Sequence, residues 1–383
     1  MQRIPFVLKQ VSGCRSKLHV RTTHCISLAT VTKKWFSYHS NAEADEQKQV
    51  NERLHREAMS IAEKVRSGNR GVLASSITLM ETEHKGKKKL AKKLLQYILS
   101  HSYDIPNKSL RIGISGPPGA GKSTFIEFFG KYLTSMGNKL AVLAVDPSSA
   151  TTGGSLLGDK TRMPELTKDQ NAYIRPSPAR GHLGGVTRST NESIILCEHA
   201  GYNIIIVETV GVGQSEYAVT NMVDVFILLL PPGGGDELQG IKRGIVERAD
   251  IIVVTKADGD LEAAAHRAQY EYMASLKYMR PKYSNWKPKV MQVSSRAKMG
   301  IDKFWNTIQD FRTATDEHFL SRRAEQRVIW VWTHVHDGLR EMILEDPRIK
   351  NQTDKLIEQV RLGKENPGTA ADKILDSVMS FMK

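Results

Sequence analysis

The chain alternates short apolar runs with longer amphipathic stretches. Leu110–Ser115, Lys139–Val145, Ile204–Val207, Asp224–Leu230, Ala249–Val254 and Lys289–Ser294 are short apolar runs next to glycine, proline or charged residues. They predict buried strands, with Ala172–Pro176 a shorter seventh. Helix-forming segments lie between them, among them Phe125–Tyr132 and Ile194–Ala200. Such alternation predicts an α/β domain over residues 106–315. Outside it the period changes. Leu54, Ala58, Ile61 and Val65 fall on one helical face, as do Leu90, Leu94 and Ile98, so residues 43–105 read as a helical extension broken at Ser67–Gly71. In residues 316–383, Val328, Trp332, Val335, Leu339 and Met342 make a heptad-like seam, either packed on its own domain or, as the favoured reading, a dimer contact. His334 and His336, two apart on that helix, point away from each other and are poor joint metal ligands.

The first apolar run leads into Gly116, Pro117, Pro118, Gly119, Ala120, Gly121, Lys122, Ser123 and Thr124. The spacing G-x-x-x-x-G-K-S between a strand and a helix marks a phosphate cradle, because glycines let backbone N–H groups turn inward and the helix adds its positive end. Lys122 is expected on the β- and γ-phosphates, and the Ser123 hydroxyl on magnesium. The second run ends in Asp146, at the edge where ligands bind in open α/β sheets. Asp159, in the polar loop LLGDKTRM, is expected to face the same metal or to be a surface carboxylate. The run Ile204–Val207 delivers Glu208, three residues before Gly211. That arrangement suits a nucleotide switch, with the carboxylate on magnesium or its waters and the glycine N–H on the γ-phosphate. Gln214 either positions the attacking water or is a surface residue. Pro231–Gly235 opens a glycine-rich loop bearing Asp236, Glu237, Gln239 and Lys242, expected as a third switch.

The base is chosen by Thr255, Lys256, Ala257 and Asp258. A carboxylate at Asp258 accepts from both N1–H and the exocyclic amine of guanine, a donor pair that adenine lacks, so GTP is preferred over ATP. The Lys256 stem can cover the purine face, while Thr255 stands where asparagine is more usual. Ser294, Ser295 and Arg296 follow the last strand and are placed to close over the base.

Composition narrows the setting. Of the 55 Lys and Arg, seven precede residue 43 and no acid does, so half of the formal +14 charge belongs to this leader. Residues 1–42 are rich in serine and read as a mitochondrial transit peptide, with a disordered basic tail as the other reading. Cys14 and Cys25 lie within the leader, so a processed chain keeps only Cys197 and no internal disulfide. No apolar run approaches the ~18 residues that span a bilayer. The lysines at 85, 87, 88, 89, 92 and 93 are more often a solvated helix face than a nucleic-acid surface.

The segments GPPGAGKST, AVDPSS, GSLLGDKTRM, RPSPARGHLGGVTR, ETVGVGQSE, LLLPPGGGDELQGIKRGI and VTKADGD together resemble the cobalamin-associated GTPases of the MeaB type, over roughly Asn51 to the C-terminus. The resemblance implies a P-loop NTPase domain with a mainly parallel sheet flanked by helices, an N-terminal helical extension and a C-terminal helical dimerisation arm. It further implies a mitochondrial-matrix GTPase that uses GTP/GDP and Mg2+, partners methylmalonyl-CoA mutase, and gates adenosylcobalamin delivery while protecting or reactivating that enzyme. By the same resemblance Lys122, Ser123, Asp146, Asp159 and Glu208 form the phosphate and metal site, Asp258 reads guanine, and Asp236–Lys242 respond to the partner. Lys122, Glu208, Gln214 and Lys242 are the expected catalytic set. No D-x-H-x-x-G sequence follows residue 42, so cobalamin is expected to be handled through the partner. A nucleotide-dependent kinase and an RNA-associated GTPase are the alternatives. No arginine finger is assigned, although Arg162, Arg180 and Arg188 are available.

Overall fold

The computed structural model describes residues 48–82, 84–101, 109–146, 162–178, 183–209, 215–233 and 243–381. The leader, Asp159, Arg180, Gly211, Gln214 and the loop residues Asp236, Glu237, Gln239 and Lys242 lie outside them, as does the side chain of Asp146. The chain divides into Met1–Leu54 and His55–Lys383. Within the first unit, residues 48–54 are helical.

The second unit holds a seven-stranded, all-parallel sheet: β1 (Leu110–Ser115), β2 (Leu140–Asp146), β3 (Ala172–Pro178), β4 (Ile204–Thr209), β5 (Val225–Leu230), β6 (Ile251–Val254) and β7 (Lys289–Gln292). Their order across the sheet is β3-β2-β4-β1-β5-β6-β7. The apolar runs lack strict alternation because both faces are covered. In β5, Val225, Ile227 and Leu229 enter one core while Phe226, Leu228 and Leu230 enter the other. Ile204 and Ile206 of β4 likewise oppose Ile205 and Val207.

One core is closed by the helix after β1 (Lys122–Ser135), through Phe125, Ile126 and Phe129, and by the helix Ile301–Ala314, through Phe304, Ile308 and Phe311. The other is closed by the N-terminal helices and by the helix Leu183–His199. Ile194–Ala200, read as the continuation of a helix, is the end of it, and the glycine-rich first turn hides where it starts. The N-terminal segment also has two breaks where one was expected. Besides Asn69, which caps the helix Arg70–Met80, His84 accepts from the Lys87 N–H and starts a separate helix, Lys85–Ser100. Cys197 is fully buried on Leu183–His199, and burial pushes its thiol up, so it is a packing residue.

Beyond Ile301 three more helices follow: Asp316–Glu345, Pro347–Arg361 and Pro367–Phe381. The first is rooted on the start of β5 by a buried charged network. The Arg323 guanidinium donates to both Asp224 oxygens, at 2.8 and 2.5 Å, and to the Ser109 carbonyl at 3.1 Å. Arg111 makes a second fork on Glu198, at 2.7 and 2.8 Å. Burial alone would push the Arg111 guanidinium down, but Glu198 and Asp224 more than offset it and hold it above the usual arginine range. One and two helical turns on, Gln326 and Trp330 donate to the carbonyls of Val223 and Asn221. The same helix presents the seam outward, with Val328 58% and Trp332 61% exposed. Among the described residues no helix is long and apolar enough to cross a membrane.

Candidate functional site

The chain order carries β1, β2 and β3 to one side, then inserts β4 beside β1 and sends β5 to its other flank. The reversal leaves a crevice at the C-terminal end of β1, where open parallel sheets bind ligands. Gly116 begins the turn there. A β-carbon at this position would lie 2.2 Å from the Leu229 carbonyl oxygen, so only glycine lets the two backbones approach. Gly119 (φ 83°) and Gly121 (φ 78°) adopt the left-handed conformation, and Gly121 caps the helix that starts at Lys122. Pro117 and the exposed Pro118 and Gly119 form the outer rim, with Thr124 exposed on the first turn of the helix and Ala120 buried beneath.

The Lys122 ammonium folds over this turn and donates to the carbonyls of Gly116 (2.7 Å) and Pro117 (3.2 Å). Burial pushes it down from the ordinary lysine range, Glu208 and Glu216 pull it back up, and Arg162 presses it down again. Glu216 was not legible as a site residue. It is buried in the first turn of Ser215–Thr220, and only its neighbourhood reveals it. Glu208, buried near the end of β4, accepts from the Ser123 hydroxyl at 3.4 Å. Hydroxyl and carboxylate thus converge at the mouth of the cradle. Such oxygen donors suit a hard divalent cation that keeps part of its water and phosphate shell. Arg162 is near enough to act on Lys122, whereas Arg188 is engaged by Glu192 at 3.1 Å.

The second half of the site follows β6. Asp258 accepts a hydrogen bond from the Ser294 hydroxyl, and Ser294 in turn accepts from the Ala297 N–H at 2.9 Å. Lys256, at φ 54°, is exposed, and the end of its stem would lie 3.8 Å from a β-carbon on Gly121. Ser295 and the exposed Arg296 lie in the turn between Ser294 and Met299, whose backbones pair. Thr255 behaves differently from a residue facing a base. Its hydroxyl is buried and is directed at the carbonyls of Ala120 (2.7 Å) and Leu230 (3.1 Å), so it ties the phosphate cradle to the base loop and to the root of the glycine-rich segment after β5. Thr255→Val should therefore leave the buried Ala120 carbonyl without this donor, at a cost of about 1–3 kcal/mol, and weaken GDP about tenfold. Thr255→Ser should restore binding, as followed with a fluorescent GDP analogue.

The chain is similar to several known proteins. The family model described as "Methylmalonyl Co-A mutase-associated GTPase MeaB" matches residues 73–348. A Mus musculus protein, "Methylmalonic aciduria type A homolog, mitochondrial", is 52% identical over 321 residues, covering 82% of this chain and 77% of that protein. "GTPase ArgK" of Escherichia coli is 48% identical over 270 residues, 70% of this chain and 80% of that protein. Among solved structures, "Crystal structure of LAO/AO transport system kinase" superposes with a TM-score of 0.67 at 34% identity, covering 84% of this chain and 97% of that one.

Proposed function

The chain belongs to the MeaB family of methylmalonyl-CoA mutase-associated GTPases, and from that premise we propose that its GTP cycle gates adenosylcobalamin delivery to the mutase and protects or reactivates that enzyme. It is a P-loop GTPase. The observation that supports a guanine nucleotide is the Thr255 bridge, which ties the cradle turn to the loop carrying Asp258, the carboxylate proposed to face the base.

In this reading the cradle N–H groups and Lys122 bind the phosphates, while Asp258, oriented by Ser294, accepts both guanine N–H groups and excludes ATP. Lys256 covers the purine, and Ser295 and Arg296 border it. Ser123 and Glu208 would hold Mg2+, with Asp146 and Asp159 as the further carboxylates assigned to it. When bound, Mg2+ neutralises charge that grows between the β- and γ-phosphates. Gln214 orients a water for attack on the γ-phosphorus, the bond to the β–γ bridging oxygen breaks, and GDP and phosphate leave. Gly211 donates to the γ-phosphate and releases its loop when that group departs. Intrinsic turnover is slow in this reading, because no arginine finger is assigned to the γ-phosphate, and Arg188 is engaged by Glu192. Docking of the mutase orders the segment Gly233–Lys242 and completes the charge compensation. Lys242→Ala should then abolish the mutase's stimulation of hydrolysis. Stimulation equal to wild type would remove that loop from the mechanism.

The compartment that fits this role is the mitochondrial matrix, with residues 1–42 as the transit peptide, 43–105 and 316–383 as helical additions, and 106–315 as the GTPase domain. The outward seam at Val328, Trp332 and Val335 supports a homodimer. Trp332→Glu would place a charge at its centre and weaken association by about a hundredfold or more, read as a dimer-to-monomer shift in sedimentation velocity.

A further inference from the structure

A second binding feature lies at the sheet edge opposite the cradle. There a cleft of about 1070 Å³ opens between the end of the helix Glu262–Leu276, the segment 277–288 leading into β7, and the last turns of Ile301–Ala314. The apolar part of its lining is Leu276, Met279 and Val290, with the buried Trp286 behind them and the more exposed Met273 beside them. Trp286 is firmly placed, since its indole N–H donates to the Asp250 carbonyl at 2.9 Å and its ring meets Phe311 edge-on at 5.2 Å.

The walls are cationic, carrying five Lys or Arg side chains against two acids. Lys282 is held by Asp250 at 3.2 Å and Lys289 by Asp310 at 3.1 Å. Lys277, Arg280 and Lys287 are exposed and have no ion pair among the described residues. Pockets for compact ligands span about 300–1,000 Å³, so this cleft stands at the top of that range. Its three available cations are also spread along one connecting segment, which suits a row of carboxylates better than one phosphate. An apolar floor beneath a cationic rim is complementary to a chain with the opposite pattern.

We propose that this cleft binds an acidic protein segment carrying an apolar anchor, with the anchor on Met273, Leu276 and Met279 and carboxylates on Lys277, Arg280 and Lys287. The site does not depend on the nucleotide assignment, because it lies at the other end of the strands.

The test uses the full chain and a short fluorescein-labelled peptide of repeating Glu-Glu-Leu-Phe, followed by anisotropy. Saturable binding is expected, weakened about tenfold or more when Lys277, Arg280 and Lys287 are all changed to glutamate. Replacing Leu and Phe of the peptide by serine should weaken it as well, and basal GTP hydrolysis should be unchanged. Should the triple variant fail to fold, Lys287→Glu alone should weaken binding about threefold. Absence of binding, indifference to charge reversal, or indifference to loss of the anchor would overturn the proposal. So would tripolyphosphate binding more tightly than the peptide, which would make the cleft a small-polyanion site.

Discussion

Asp258→Asn is expected to lower the affinity for GTP by roughly a thousandfold, about 4 kcal/mol, because an amide would replace the carboxylate proposed to accept two guanine N–H bonds. One of the two guanine donors then faces an N–H group of the new side chain. The Ser294 hydroxyl already fixes the orientation of this residue, so the loss falls on recognition rather than on loop order. Xanthine carries a carbonyl where guanine has its exocyclic amine, so the same variant should gain xanthosine triphosphate binding as it loses GTP. Calorimetric titration with GTP, ATP and xanthosine triphosphate checks both effects. GTP affinity unchanged by the substitution would remove Asp258 from the base site.

Arg323→Ala is expected to destabilise the fold by about 3–5 kcal/mol, since it removes the guanidinium hydrogen-bonded to both oxygens of a buried carboxylate. Asp224 is 3% exposed and would keep only the Arg111 backbone N–H, at 2.8 Å. The neighbouring Arg111 is forked on Glu198 at 2.7 and 2.8 Å and acts on Asp224 through space, without a side-chain hydrogen bond to it. Glu325→Ala, on the exposed side of the same helix, should cost less than about 0.5 kcal/mol. Urea unfolding of the two variants measures the difference. Equal stabilities would show that the C-terminal helix is rooted without need of the Arg323–Asp224 pair.

The sheet was legible because its strands are buried on both faces and therefore read as uninterrupted apolar runs, as in VFILLL of β5. The cradle was legible because Gly119 and Gly121 supply the left-handed backbone of one continuous turn, and local demands leave local patterns. Contacts between distant residues left none. Arg323 and Asp224 are separated by 99 positions, and nothing in either neighbourhood marks them as partners. Thr255 shows the same limit at the site. Its place in TKAD suggested a contact with the base, but its hydroxyl serves Ala120, 135 residues earlier. Glu216 was missed because a glutamate beginning a helix is common, and its burial beside Lys122 arises only when β1 and β4 pair. His84 was missed as a cap because the lysine run after it dominates the pattern.

The most direct test of the account is GTP hydrolysis by the chain lacking residues 1–42, with and without purified methylmalonyl-CoA mutase and with ATP as the control nucleotide. Slow turnover that the mutase raises, for GTP and not for ATP, is the predicted result. Hydrolysis of GTP at the same rate whether or not the mutase is present would contradict the proposed coupling and point to a different client for the same nucleotide site.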